Sequence, residues 1–157
     1  MSLDDYVKKF LDNPDIEDSD KDNIRSLVSS HLITGMRLQE KGLLREAIEE
    51  FAKENNRSIK SDIDKEIAQK SYVQIGVAYR KLGEIENAKT AFEKARELWK
   101  LYGMGSAPHY DLAEILIEQG QLDEAIVVCQ ELVDDLPDSG VELLLAKAII
   151  LKKGNIK

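Results

Sequence analysis

Apolar and small residues recur along the chain with one spacing, and this pattern appears three times. The second copy reads Tyr72-x-x-Ile75-Gly76-x-x-Tyr79, with Gly83 four residues further on. Positions separated by three or four residues lie on one face of an α-helix. The last glycine stands where a helix would end in the left-handed conformation, and an alanine and a large apolar residue follow it at helical spacing. The pattern therefore predicts pairs of helices joined by tight turns.

The other copies place different side chains at the same positions. A unit that recurs at this length predicts a stack of helical hairpins, each of which buries an apolar face on the next. A fourth, incomplete copy runs from Leu143 to Gly154 and carries Lys147 where the others carry a small residue. The first copy consists of His31, Thr34, Gly35, Leu38, Gly42, Ala47 and Phe51, and the third of His109, Leu112, Ala113, Leu116, Gly120, Ala125 and Cys129.

The copies are not evenly spaced along the sequence. Surplus residues lie between Phe51 and Tyr72, and again between Phe92 and His109. We expect the first surplus to lengthen helices or to form a loop around residues 55–62. We expect the second to form a wider loop over residues 101–108.

The N-terminal region does not follow the repeat. Residues 3–11 carry apolar side chains at helical spacing, and Asn13-Pro14 and an acidic stretch follow them. We expect a second, long helix to begin after Ser19 or Asp20 and to run toward Lys41. The sequence therefore divides into residues 1–23, an N-terminal helix with an acidic linker, and residues 24–157, an array of three repeats and a partial fourth.

Charge and composition exclude several classes of partner. The chain has 157 residues, 43% of them hydrophobic, and a formal net charge of -8. This length supports one domain with a core. The acidic balance argues against binding to nucleic acid and to anionic membranes, which both require basic surfaces. Cys129 is the only cysteine, which excludes an internal disulfide, and no secretory signal is present. We therefore expect a cytoplasmic protein.

The arrangement of large and small residues resembles the tetratricopeptide repeat (TPR) family over residues 24–154. The resemblance implies an all-α fold, a right-handed solenoid of antiparallel helix hairpins. It also implies a non-catalytic scaffold or adaptor without a cofactor. In this family the first helices of successive repeats line a concave groove, which binds a peptide or a helix of another protein.

The resemblance places residues from three first helices in such a groove. One subgroup of the family clamps chaperone C-terminal carboxylates with Lys, Asn and Arg side chains. This chain has Leu32, Met36, Ala107 and Asp111 at four of those positions, so that ligand is not expected. The expected groove residues are Leu32 and Met36 from the first copy, Lys70, Val73, Val77, Arg80 and Lys81 from the second, and Tyr110, Glu114, Ile117 and Glu118 from the third.

Residues with catalytic or metal-binding potential are few and scattered. His31 and His109 hold equivalent positions in two copies, which favours packing between paired helices over a shared site. Cys129 holds the position of a core phenylalanine, which favours burial. The Asp18-x-Asp20-x-Asp22 stretch lacks the glycine and the glutamate of a calcium loop. We therefore expect no catalytic residue, metal site or cofactor site.

The last helix is apolar over most of its circumference, from Val141 to Leu151. A helix that ends a solenoid normally has a polar outer face. We therefore expect this helix to be covered by a second subunit, giving a homodimer through Leu144, Ala148 and Leu151, or by further sequence. Two alternatives to an adaptor remain open. The array could be a self-assembly domain, or a regulatory fragment of a larger protein, which could be an enzyme.

Overall fold

The computed structural model describes residues 3–103, 107–137 and 140–155. All regular secondary structure within these ranges is helical, so the predicted all-α class is confirmed. From α3 onward the helices pack as hairpins, α3 with α4, α5 with α6 and α7 with α8, and α9 packs on α8. The described helices are α1 (Leu3–Leu11), α2 (Asp18–Val28), α3 (Ser30–Glu40), α4 (Leu44–Ala52), α5 (Asp62–Lys81), α6 (Ile85–Tyr102), α7 (His109–Glu118), α8 (Leu122–Asp135) and α9 (Glu142–Asn155).

The turns within the three hairpins fall at the predicted glycines. Gly42, Gly83 and Gly120 have φ values of 78°, 77° and 73°, a left-handed conformation that L side chains rarely adopt. At the second turn, the Glu84 amide donates to the Tyr79 carbonyl at 3.0 Å. This bond satisfies a carbonyl that the helix end would otherwise leave free. The glycines therefore determine where the first helix of each hairpin ends, and they let the second helix run antiparallel to it.

The small residue of each first helix lies against the large residue of the second. A Cβ atom built on Gly76 would lie 2.6 Å from Phe92 Cε1, and one built on Gly35 would clash with Phe51 in the same way. Both phenylalanines are fully buried. In the third hairpin Ala113 and Cys129 hold these two positions, and both are buried. The two helices of a hairpin can approach closely because one supplies a gap that the other fills.

The core consists of two adjoining clusters. One is centred on Phe51, Leu32 and Ile67 between α3, α4 and α5, and the other lies around Phe92 and Leu116 further along the array. Tyr79 on α5 packs against both clusters. The core is therefore continuous along the stack, as expected when each hairpin covers the next.

The predicted long helix over residues 20–41 is wrong. Two helices are present instead, and Ser29 separates them with an extended backbone at φ -111° and ψ 113°. Ser29 is buried, and its hydroxyl accepts a hydrogen bond from the Leu32 amide at 3.1 Å. Serine competes with the helix interior in this way and favours the N-cap position. The chain consequently changes direction at Ser29 and starts α3, the first helix of the first hairpin.

The surplus residues between the copies mainly lengthen helices. α5 has 20 residues and α6 has 18. Residues 53–61 form the expected loop, in which Arg57 pairs with Glu54 at 2.5 Å and with Asp64 on α5 at 2.7 Å. The second surplus was expected to be a loop over residues 101–108, but α6 continues to Tyr102. Residues 104–106 of that segment lie outside the described ranges.

We predict that Gly76→Ala destabilises the chain by about 1–3 kcal/mol, because the added Cβ overlaps the Phe92 ring in a packed core. Gly154→Ala is the matched control, since Gly154 also lies in a helix but has no atom within 4 Å of its built Cβ. There only helix propensity changes, which favours alanine by up to about 1 kcal/mol. Urea unfolding measures both variants. Equal stabilisation by the two substitutions would contradict the packing described here.

Candidate functional site

Arg80 joins α5 to α7 through three carboxylates. Its Nη1 lies 3.0 Å from Glu114 Oε1 and 3.5 Å from Asp111 Oδ1, and its Nη2 lies 3.3 Å from Glu118 Oε1. The three acids are spaced so that they occupy one face of α7. One guanidinium cannot neutralise three carboxylates. This surface, the Arg80 cluster, therefore keeps an excess of negative charge.

In the Arg80 cluster, burial and the nearby opposite charges shift pKa values in opposite directions. Burial of Arg80 disfavours its charged form, but the hydrogen bond to Glu114 and the charges of all three acids raise its pKa. Burial raises the pKa of Asp111, and Glu114 adds to this rise while Arg80 opposes it. Arg80 thus stays charged, and Asp111 is the member of the cluster that burial makes harder to ionise.

Tyr110 supplies the exposed apolar surface beside the Arg80 cluster. Its side chain is 43% exposed at the start of α7. Val73, Val77 and Ile117 are half-buried, and they pack against the core cluster around Phe92. Tyr110 is therefore the exposed apolar side chain that an incoming segment can contact, whereas the two valines and Ile117 are partly occupied by core packing.

Only some of the predicted groove residues lie at an accessible surface. Leu32 is fully buried and packs in the core between α3, α4 and α5, so it cannot reach a partner, and its assignment to the groove is corrected. The reason is that this position of α3 faces the neighbouring helices. Met36 is half-buried against the same core. Lys70 is half-buried and Lys81 is exposed, both on α5.

Two acidic residues with structural roles were missed by the sequence analysis. Asp111 was considered only as a departure from a carboxylate clamp, yet it belongs to the Arg80 cluster. Its spacing from Glu114 and Glu118 along α7 could have revealed this. Glu131 on α8 lies 2.7 Å from Arg96 Nε and 3.4 Å from Lys100 Nζ, both on α6. Glu131 therefore links the second helices of neighbouring hairpins.

The histidines and the cysteine occupy packing positions. His109 is fully buried, its ring centroid lies 4.6 Å from that of Trp99, and burial lowers its pKa although Glu131 opposes the shift. His31 Nδ1 lies 2.7 Å from Glu50 Oε1, which connects α3 to α4. Burial raises the pKa of Cys129 to about 11, which disfavours the reactive thiolate. Among the described residues, no three His, Cys, Asp or Glu side chains are placed so that they could hold a metal ion together.

The residues expected to form a dimer interface on α9 are divided between two faces. Leu144 and Ala148 are buried against the preceding helices, so they are not available to a second subunit and their assignment is corrected. They face inward because α9 packs on both α8 and α7. Leu151 is 40% exposed, and the most exposed apolar residues of α9 are Leu143 and Ile150.

A comparison with protein families agrees with the geometry. The model for the tetratricopeptide repeat matches residues 79–148, from the end of α5 into α9. Residues 79–148 belong to the tetratricopeptide repeat family. This confirms the predicted resemblance over these residues, and TPR segments generally serve as protein–protein interaction modules. No curated protein matches the chain significantly. Among the described residues, no helix is long and apolar enough to span a bilayer.

We predict that Arg80→Met lowers the free energy of unfolding by about 1–2 kcal/mol near pH 7, because three carboxylates then face one another without a cation. The difference in the free energy of unfolding between the wild type and Arg80→Met should become smaller as the pH falls toward about 4, since carboxyl groups become protonated there. The pKa of Asp111 is raised in the folded chain, so its protonation favours folding at acid pH, and removal of Arg80 raises that pKa further.

Lys94→Met is the control for this experiment. Lys94 pairs with Glu97 at 3.5 Å, and both side chains are more than half exposed. The control should lose only about 0–0.5 kcal/mol at either pH, as exposed pairs do. Urea unfolding at the two pH values measures both variants. An equal, pH-independent loss in the two would contradict the role given to Arg80.

Proposed function

We propose that the chain is a non-catalytic, cytoplasmic adaptor that binds a segment of another protein across α5 and α7. The observation that carries the proposal is the Arg80 cluster beside the exposed ring of Tyr110. A surface with an apolar anchor and an acidic margin favours a ligand with the opposite pattern. The ligand would be a segment that places an apolar side chain on Tyr110 and a basic side chain near Glu114 and Glu118.

The expected mode of binding follows from the helical surface. An amphipathic helix or an extended segment can place apolar side chains at intervals that match successive first helices. Tyr110 should contribute more to affinity than any one charge at the margin, because aromatic anchors dominate most interfaces and exposed charges contribute little. The charges instead favour one class of ligand over another and speed its association.

Self-assembly is the second candidate function, and one observation favours it. Leu143 and Ile150 on α9 are 73% and 68% exposed, so an apolar strip remains open at the end of the described array. Apolar strips of this kind tend to associate. A homodimer through this strip would appear in sedimentation velocity as a concentration-dependent shift. An adaptor that binds through α5 and α7 alone would not show that shift.

We predict that segments selected from a random peptide display library by the wild-type chain are enriched in basic residues next to apolar ones. Tyr110→Ala should weaken their binding about tenfold, by removal of the anchor. Val77→Glu should also weaken binding, because it replaces a partly buried apolar side chain of α5 by a carboxylate. Fluorescence anisotropy gives the affinities, and circular dichroism shows whether each variant is folded.

Val127→Ala is the control for the affinity measurements. Val127 is 58% exposed on α8, a second helix, so its loss should leave affinity unchanged. The proposal fails if selected segments bind a folded Tyr110→Ala, Val77→Glu double variant normally. It also fails if Val127→Ala weakens them as much as Tyr110→Ala does.

A further inference from the structure

The exposed side of α9 is a repeat surface on which no second helix lies among the described residues. In the second hairpin the corresponding face of α5 is covered by α6, where Phe92 lies against Gly76. No helix covers that face of α9 among the described residues, while its opposite side contributes Leu144 and Ala148 to the core. The uncovered positions are Leu143, Ala146, Lys147 and Ile150, which correspond to Tyr72, Ile75, Gly76 and Tyr79.

Exposure distinguishes this face from its counterpart on α5. Leu143 and Ile150 are 73% and 68% exposed, whereas the equivalent Tyr72 and Tyr79 are half-buried. Ala146 is also exposed, whereas the equivalent Ile75 is buried. In the three complete hairpins an antiparallel helix lies on this surface. The shape of the surface therefore suits an α-helix that runs antiparallel to α9.

Lys147 determines what kind of helix can bind there. The other hairpins have a small residue at this position, and in two of them a phenylalanine ring fills the space above it. Lysine occupies that space itself and brings a positive charge to the middle of an apolar strip. A helix with phenylalanine at the facing position would overlap the lysine stem and would bury its ammonium group without a partner. A carboxylate at that position would pair with it.

The same lysine disfavours a second copy of α9 as the occupant. Lys147 lies midway between Leu143 and Leu151, so a two-fold axis that pairs these leucines would bring two Lys147 side chains together. The acid of α9 is Glu142 in its first turn, and Lys153 adds positive charge near the other end, whereas Lys152 pairs with Asp123 on α8 at 2.6 Å. Charge complementarity therefore favours an acidic partner over self-pairing.

We propose that the exposed face of α9 binds an acidic amphipathic helix of a partner protein. The bound helix runs antiparallel to α9, packs apolar side chains on Leu143 and Ile150, and places a carboxylate opposite Lys147. This surface is separate from Tyr110 and the Arg80 cluster, so the chain has two binding faces.

Synthetic peptides derived from α8 test the proposal. A peptide of residues 121–136 is acidic and has the sequence of a second helix of this array. Residue 129 is equivalent to Phe92, which faces Gly76, and Lys147 is equivalent to Gly76. Residue 129 of the bound peptide should therefore lie opposite Lys147. One probe carries Cys129→Glu and the other Cys129→Lys. Anisotropy should show the wild-type chain binding the first probe about tenfold more tightly, from attraction in one case and repulsion in the other.

Protein variants locate the binding. Lys147→Glu should reverse the order of the two probes, and Ile150→Glu should weaken both. Leu101→Glu is the matched control, because Leu101 on α6 is 72% exposed, close to the value for Ile150, and it should bind both probes as the wild type does. Tyr110→Ala should also bind them normally, which separates this test from that of the proposed function.

Two results would overturn the proposal. The first is equal affinity of the wild-type chain for the two probes. The second is a dimer of the chain in sedimentation velocity that Ile150→Glu converts to a monomer, since the occupant would then be a second copy.

Discussion

The contact between a small residue on one helix and a large residue on the next determines the spacing of the array. Gly35 lies against Phe51 and Gly76 against Phe92, at distances that leave no room for a side chain on the glycine. This close approach allows the first hairpin to bury Phe51 completely and the second to bury Phe92 completely. α5 and α7 then lie close enough for Arg80 to reach three carboxylates on α7. The candidate site therefore depends on packing elsewhere in the same hairpins.

Much of this architecture could be predicted from the sequence, because the signals are local. Gly83 and its equivalents mark turns by their backbone conformation, and alternating large and small residues mark the faces that pack. The break at Ser29 was missed because the apolar pattern continues across it. Only the structure shows that the Ser29 hydroxyl caps α3. A serine at that position is also compatible with an uninterrupted helix, so the sequence could not decide between the two.

The site was harder to predict than the fold for a physical reason. The groove residues were assigned from their positions in the repeat. Those positions do not show which side chains a neighbouring helix buries. Leu32 and Leu144 were expected at binding surfaces but are buried, while Tyr110 and Leu151 remain partly exposed. Ion pairs between helices depend on the register between α5 and α7. The convergence on Arg80 therefore required coordinates, although the spacing of the acids on α7 was visible in the sequence.

The proposed function requires the face shared by α5 and α7 to receive a protein segment. Hydrogen–deuterium exchange of the full chain, with and without a display-selected segment, tests this most directly. We expect slower exchange in residues 70–81 and 109–118 when the segment is bound, with little change in residues 44–52 and 142–151. Protection confined to α4, α6 or α8, with no change at α5 and α7, would contradict it.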